Sequence, residues 1–279
     1  MDRQPPAGFP ANPVEKAGYR LEFHDEFDGP ALDREKWLPF YLPHWSSRER
    51  SAPDYVLDDG CLGLQITAGQ QPWCPEFDGG VKCSSIQTGE YAGPVGSKTG
   101  QHRFNPACTV REAQASVQLY TPRCGYFEMR AKGVSSPGNH VALWMIGFED
   151  RPERSGEIAV FEIMGRTVTP TASRVGHGVR RWGDPQLEDE FYEEDFPIDA
   201  TQFHVYALEW FPDRLDFFID NQKIKTSRQS PDYPMQFMLS IYELPDNHQP
   251  AEIYPKRFTI DYFRAYQPVG GYGASSAAR

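Results

Sequence analysis

The chain has 279 residues, with 28 Lys and Arg against 39 Asp and Glu, a formal charge of −11. That balance argues against nucleic acid as a partner, because neutralising phosphates needs a basic face. With 25 Pro and 24 Gly punctuating the sequence, long helices are excluded as the main architecture. No stretch approaches the roughly 20 consecutive apolar residues of a membrane span, so no membrane partner is expected. Met1 to Pro10 has neither the charged n-region nor the apolar h-region of an export signal. If Met1 is the native start, the expected location is cytoplasmic. No internal linker divides the chain, and the expectation is one monomeric domain over residues 20–267.

Cys61, Cys74, Cys83, Cys108 and Cys124 contain no CxxC pair and have no His at zinc-ligand spacing. Cys74 and Cys83 flank a Pro/Gly-rich loop and could pair. Unpaired, partly buried thiols are the simpler reading.

In chain order, residues 1–19 carry Pro5, Pro6, Pro10 and Pro13 with little apolar period and read as a surface arm. Strands follow at Tyr55 to Leu57 and Leu62 to Thr67, where apolar residues alternate. Gln70 to Ala115 is rich in Gly, Pro and polar residues, a long loop that could overhang a cleft. Further strands are expected at Gly125 to Lys132, His140 to Phe148, Ile158 to Met164 and Val175 to Arg180. The last group is His204 to Phe211, Arg214 to Ile219, Met235 to Ile241 and Arg257 to Tyr266. Phe211-Pro212-Asp213-Arg214 and Asp220-Asn221-Gln222 carry hairpin-turn chemistry. Residues 268–279, with a Gly-rich then Ser/Ala-rich run, read as a flexible tail. Many short strands predict an all-β sandwich of jelly-roll type.

The run Ser155 to Gly165 places Glu157 and Glu162 in a segment that is otherwise apolar and β-forming. Burying two carboxylates there is costly without compensation, and function is the better reason to keep them. In a regular strand these two positions, an odd number apart, face opposite sides. One inserted residue, a β-bulge between Ala159 and Glu162, brings both to one face. The carboxyl groups could then approach the ~5 to 5.5 Å spacing of a retaining glycosidase.

At these residues the sequence resembles glycoside hydrolase family 16, whose signature is a Glu-x-Asp-x-(x)-Glu strand in a jelly roll with two curved antiparallel sheets and a concave substrate cleft. Phe23 to Gly29 with Leu32, Asp33 and Trp37, then Gly125 to Lys132, Ala142 to Met145, Phe203 to Trp210 and Ile260 to Tyr266 are similar to successive segments of that family. The resemblance implies Glu157 as nucleophile and Glu162 as acid/base, the latter held protonated. It also implies hydrolysis of a β-linked polysaccharide, β-1,3-glucan by default, without an organic cofactor. A carbohydrate-binding or repurposed protein on the same scaffold is the alternative. The chain departs from the pattern at Ala159, where relatives carry Asp, at Arg180, where a His is frequent, and at Ser240, where Asn is common.

Trp144 shares a strand face with Ala142 and Ile146 and is either a sugar-stacking platform or core. His140 opens the same strand and is a candidate substrate contact. Trp182, and less so Trp45, lie in polar loops and read as substrate contacts. Glu209 is either a cleft hydrogen-bonding residue or a solvated acid. Arg151, Arg154, Arg166, Arg174, Arg180 and Arg181 bracket the acidic strand. They could clamp an anionic sugar or balance the nearby acidic run, and Arg180 is the candidate substrate contact among them. The resemblance further implies a structural Ca2+ at Asp261, with carbonyls from the turn at Gly60.

Overall fold

The computed structural model describes residues 8–245 and 253–272. Pro5, Pro6 and the Ser/Ala run of the tail lie outside the described residues. The strands, in chain order, are β1 (Tyr19–Asp25), β2 (Asp54–Asp58), β3 (Cys61–Ile66), β4 (Lys82–Gln87), β5 (Gly89–Glu90) and β6 (Val117–Gln118). Next come β7 (Gly125–Lys132), β8 (Asn139–Gly147), β9 (Glu157–Met164), β10 (Ser173–Arg180) and β11 (Glu190–Phe196). The series ends with β12 (His204–Trp210), β13 (Leu215–Ile219), β14 (Gln222–Ser227), β15 (Met235–Glu243) and β16 (Lys256–Pro268).

They form two antiparallel sheets. One runs β14-β13-β12-β7-β16-β3-β2, with β1 also on β16; the other runs β11-β10-β9-β8-β15-β4. The all-β sandwich expected from the sequence is therefore present, and both hairpin turns are where the turn residues put them. Asp220 and Asn221 take φ of +50° and +63°, the left-handed pair a tight hairpin needs.

Strand alternation separates the faces. Phe127, Met129 and Ala131 of β7, Val141, Leu143 and Met145 of β8, and Phe237, Leu239 and Ile241 of β15 all join the core between the sheets. Ala142, Trp144 and Ile146 point the other way, to a second apolar cluster with Tyr41, Trp45, Trp73 and Met238. This cluster exists because residues from the expected long loop fold over the outward face of the six-stranded sheet, with β4 inside that loop. Trp45 is fully buried there and donates its indole N–H to the Gln101 carbonyl, so it belongs to packing rather than to sugar contact. All five cysteines are buried and unpaired.

β11 and β14 were not expected. Glu190–Phe196 is an acidic run with only sparse apolar residues, and it pairs with β10 at the sheet edge, where one side remains wet. The arm is not loose over its described part. Phe9 N–H donates to the Phe203 carbonyl, and the Arg264 guanidinium donates to the Asn12 carbonyl.

Candidate active site

The register of β8 against β9 runs Ala142 to Glu162 and Leu143 to Phe161, then jumps to Trp144 with Ala159. Val160 is the extra residue, so Val160 and Phe161 both enter the core while Glu157, Ala159 and Glu162 share the outward face. This is the bulge the sequence required between Ala159 and Glu162.

Both carboxyl groups line one pocket of about 240 Å3, together with Tyr41, Asp78, Val81, His102, His140, Ala142, Trp144, Arg180, Trp182, Tyr242 and Leu244. Arg180, directly across β10 from Glu157, bridges the pair. Its Nε lies 3.4 Å from Glu157 Oε1 and its Nη2 3.9 Å from Glu162 Oε2. The guanidinium stacks 3.7 Å over Phe191 of β11, which fixes its plane. The Trp182 indole donates to Glu157 Oε2 at 2.7 Å. His140 Nε2 is 3.6 Å from Glu162 Oε2, with its ring stacked on Tyr242. Trp144 forms part of the wall and donates to Ser240 Oγ, which also bonds Ser85 Oγ.

Burial pushes the Glu157 carboxyl up to about 8, with the neighbouring Glu162 charge adding to the shift; the Trp182 N–H and Arg180 oppose it. The sequence reading held the proton on Glu162. In the free site, desolvation favours it on Glu157, the deeper of the two, at 5% side-chain exposure against 19%. Ala159 is fully buried and supplies no group that could hydrogen-bond the acids; Trp182 hydrogen-bonds Glu157 instead, and Arg180 forms the ion pair.

Sequence reasoning missed His102. Its ring stands edge-on between Trp144 and Trp182, with centroids at 5.0 and 4.6 Å, and its Nδ1 is 3.8 Å from Glu157 Oε2. Burial pulls the imidazole down to about 3, so it is neutral at working pH. Its backbone N–H donates to Glu149 Oε1 at 2.6 Å, and burial lifts Glu149 to about 8. Trp182, His102 and Glu149 all have left-handed φ, at +44°, +50° and +57°. Such strain costs about 1–3 kcal/mol per residue and gathers where a site is over-determined. No motif in the sequence announces it.

Two expectations fail. Glu209 lies on β12, on the outer face of the other sheet, where it accepts hydrogen bonds from Tyr19 and Tyr272. It does not reach the cleft. Asp261 Oδ2 is 2.7 Å from Arg130 Nη1, and a guanidinium within the ligand set does not suit a calcium ion. Among the described residues no cluster of three or more His, Cys, Asp or Glu could hold a metal, and Gly60 simply turns the chain at φ +69°. Of the bracketing arginines, Arg154 pairs with Asp150 and Arg174 with Asp195, leaving Arg180 as the one that lines the pocket.

The model of glycosyl hydrolases family 16 matches residues 115–264. A beta-glucanase of Rhodothermus marinus is 28% identical over 284 residues, covering 90% of this chain and 86% of that protein. Among solved structures, the GlcNAcα1-4Gal releasing endo-β-galactosidase from Clostridium perfringens is similar with a TM-score of 0.85 at 37% identity, over 96% of this chain and 66% of that one. This chain thus spans just under two thirds of that protein. A laminarinase from Flavobacterium sp. UMI-01 has a TM-score of 0.61 at 20% identity, over 89% of this chain and 100% of that one, which speaks to the fold alone. With the bulged two-glutamate strand in place and the family model spanning more than half its length, the chain belongs to glycosyl hydrolases family 16.

Proposed function

We propose that this protein is a retaining endo-acting glycosidase that cleaves an internal β-galactosidic linkage in a glycan. The observation that carries the reading is the projection of Glu157 and Glu162 from one bulged strand into one pocket, bridged by Arg180. Glu157 attacks the anomeric carbon as the glycosidic C–O bond breaks, and Glu162 gives its proton to the departing oxygen. Glu162 then takes a proton from water, whose oxygen displaces Glu157 and leaves the anomeric configuration retained. The pair works with one proton between them, and the productive arrangement puts it on Glu162. Arg180 and the Trp182 N–H both favour the ionised Glu157 that this arrangement needs.

Galactose as the substrate sugar is supported by the likeness to the Clostridium perfringens endo-β-galactosidase, which is higher in identity and TM-score than the likeness to the laminarinase. The chemistry is compatible. An axial 4-hydroxyl leaves galactose one continuous apolar face, and Trp144 and Trp182 offer indoles for it. A second reading, β-1,3-glucan, is supported by the likeness to a beta-glucanase along 90% of the chain and to a glucan endo-1,3-beta-glucosidase of Cryptopygus antarcticus along 37% of it.

The test is incubation with mucin-type and other β-galactoside glycans beside laminarin and lichenan, scoring new reducing ends. Glu157→Gln is the control, and proton NMR reads the first anomer released. Cleavage of galactosides with the β-anomer appearing first is expected. Cleavage of glucans alone would select the second reading. Binding without cleavage of any glycan would make the protein a lectin-like member of the fold.

A further inference from the structure

His140 stands beside the proposed acid/base. It lies two residues before Ala142 on β8 and so shares the cleft face, and Ala142 is the register partner of Glu162 across β9. Its ring stacks on Tyr242, its own partner on β15, with centroids 5.3 Å apart and planes inclined by 30°. That contact sets the plane of the imidazole and leaves Nε2 3.6 Å from Glu162 Oε2. Nε2 is buried and, among the described residues, has no hydrogen-bond partner. A buried polar atom left unpaired in a native site calls for a reason, and here the atom it faces falls just outside hydrogen-bond reach.

Burial lowers the His140 value, with Arg180 and Arg166 adding to the shift and the Glu162 charge opposing it, so the ring is neutral at pH 7. A neutral imidazole carries one N–H. Placed on Nε2, it meets a carboxylate oxygen as a donor; a lone pair there would meet the same oxygen and repel it. The surroundings therefore select the Nε2–H tautomer. Arg180 Nη2, at 3.9 Å, comes to the same Oε2. An oxygen flanked by two N–H groups is a poor place for a proton, which leaves Oε1 to carry it.

We propose that His140 is the positioning residue of the acid/base: its Nε2–H closes onto Glu162 Oε2 when a glycan fills the cleft, reserving Oε1 as the oxygen that gives and takes the proton. The proposal rests on the glycosidase reading of Glu157 and Glu162. Catalytic hydrogen bonds commonly tighten only in the occupied site. As Oε1 passes its proton to the departing oxygen, Glu162 becomes charged and the bond from His140 strengthens. In the second step the oxygen of water bonds to the anomeric carbon, the bond to Glu157 breaks with its electron pair returning to Glu157, and a proton of that water goes to Oε1. His140 keeps its own proton throughout.

The experiment compares His140→Phe, which keeps the stack on Tyr242 and removes the donor, with His140→Gln, whose amide N–H takes the place of Nε2–H. The substrates are 2,4-dinitrophenyl glycosides of a β-galactosyl disaccharide and of laminaribiose, whose leaving group needs no acid, so breakdown of the covalent intermediate limits kcat. For whichever is cleaved, His140→Phe should lower kcat and KM together by about tenfold and hold kcat/KM within about twofold. Azide attacks without needing a base, and should restore kcat of His140→Phe at least about fivefold while changing the wild type by less than about twofold. His140→Gln should stay within about threefold of the wild type. In 15N NMR of histidine-labelled protein at pH 7, the resonances lost in His140→Gln should be those of a neutral Nε2–H ring. A loss of kcat/KM on the activated glycoside, no response to azide, equal impairment by Gln and Phe, or an Nδ1–H or charged ring would each overturn the role of His140 in an active enzyme. A wild type inert on every glycoside would overturn the glycosidase reading itself, and the role with it.

Discussion

Two faces of the sandwich each bury carboxylates, and they treat them differently. On the outer face of the eight-stranded sheet, Glu128 is 2% exposed and lies under the arm, with the Asn12 amide 2.9 Å from Oε2 and Arg264 3.8 Å from Oε1; burial still pushes its carboxyl upward, and Asn12, Lys16 and Arg264 oppose the shift. Glu209 beside it accepts two tyrosine hydroxyls. On the other face, Glu157 has a half-exposed Arg180, one indole N–H and a second carboxylate as neighbours. The first set is partly compensated by positive and polar groups, whereas the second has a like charge adding to the cost of burial. The outer-face pocket is also the larger, at about 460 Å3 against 240 Å3, so cavity size alone would choose the wrong face. Incomplete compensation of a buried acid is the better guide to chemistry here.

The sharpest way to break that contrast is to remove the acid on each face. Glu157→Gln should lower kcat by about 10³-fold or more, as expected when the attacking group is lost. Glu128→Gln should leave hydrolysis of the same glycan within twofold. Equal effects in a reducing-end assay would dissolve the distinction. Restoring the family's acid tests it from the opposite side. Ala159 is fully buried on the cleft face, and its strand partners are Trp144 and Gly178. Ala159→Asp adds a carboxyl between Glu157 and Glu162 in a pocket with one guanidinium, and should reduce activity at least tenfold while costing about 2–3 kcal/mol in chemical denaturation. A gain in turnover would show that the missing Asp, rather than the Trp182 and Arg180 arrangement, limits this site.

How the sequence foretold these faces depends on which interactions are local. The Glu157/Glu162 pairing was legible because strand parity and an apolar run leave one solution, a bulge. Trp144 was legible by alternation with Ala142 and Ile146. His102 and Glu149 were not, since they come from loops distant in sequence and meet only after the residues around 41–110 fold across the sheet. Glu209 misled because parity places it on a face without saying which face of which sheet carries the cleft. β11 was hidden by its acidic composition, although Phe191 in it is what supports Arg180. The arm looked structureless because its order comes from long-range bonds to Phe203, Glu128 and Arg264.

Smaller effects sharpen the electrostatic side of the comparison. Trp182→Phe removes the N–H that stabilises ionised Glu157 and should slow turnover about tenfold, with the ionisation governing the acidic limb of kcat/KM moving up. Phe keeps the packing against His102, so a shift in the profile reads the hydrogen bond. Stability gives an independent view. Glu157 has a native value raised to about 8 from an ordinary 4.5, so between those pH values the unfolded chain loses a proton that the folded protein keeps. The unfolded state therefore binds fewer protons, and stability falls as pH rises through that window. Glu157→Gln removes this loss and should raise Tm by roughly 3–6 °C at pH 8.5 and by much less at pH 5. An equal rise at both pH values would mean that charge burial is not its source.

The smallest effect concerns the compensated face. Lys16 Nζ sits 3.6 Å over the Tyr126 ring, and its charge favours ionised Glu128. Burial lowers the Lys16 value, and the charges of Glu128 and Glu209 oppose that shift, favouring the ammonium. Lys16→Met retains the apolar stem and removes the charge. The expected loss is about 1 kcal/mol at pH 8, from the cation–π contact and the weakened carboxylate. At pH 4 the loss should shrink, because Glu128, whose carboxyl burial already pushes upward, is then protonated in the folded protein and needs no counter-charge. Urea denaturation at the two pH values measures the difference. Hydrolysis should remain at the wild-type rate, because the arm and the cleft are on opposite sides of the sandwich and the two pockets share no side chain. A pH-independent loss would assign the arm's hold to packing and hydrogen bonds, and the compensation argued for Glu128 would then have to come from Asn12 and Arg264 alone.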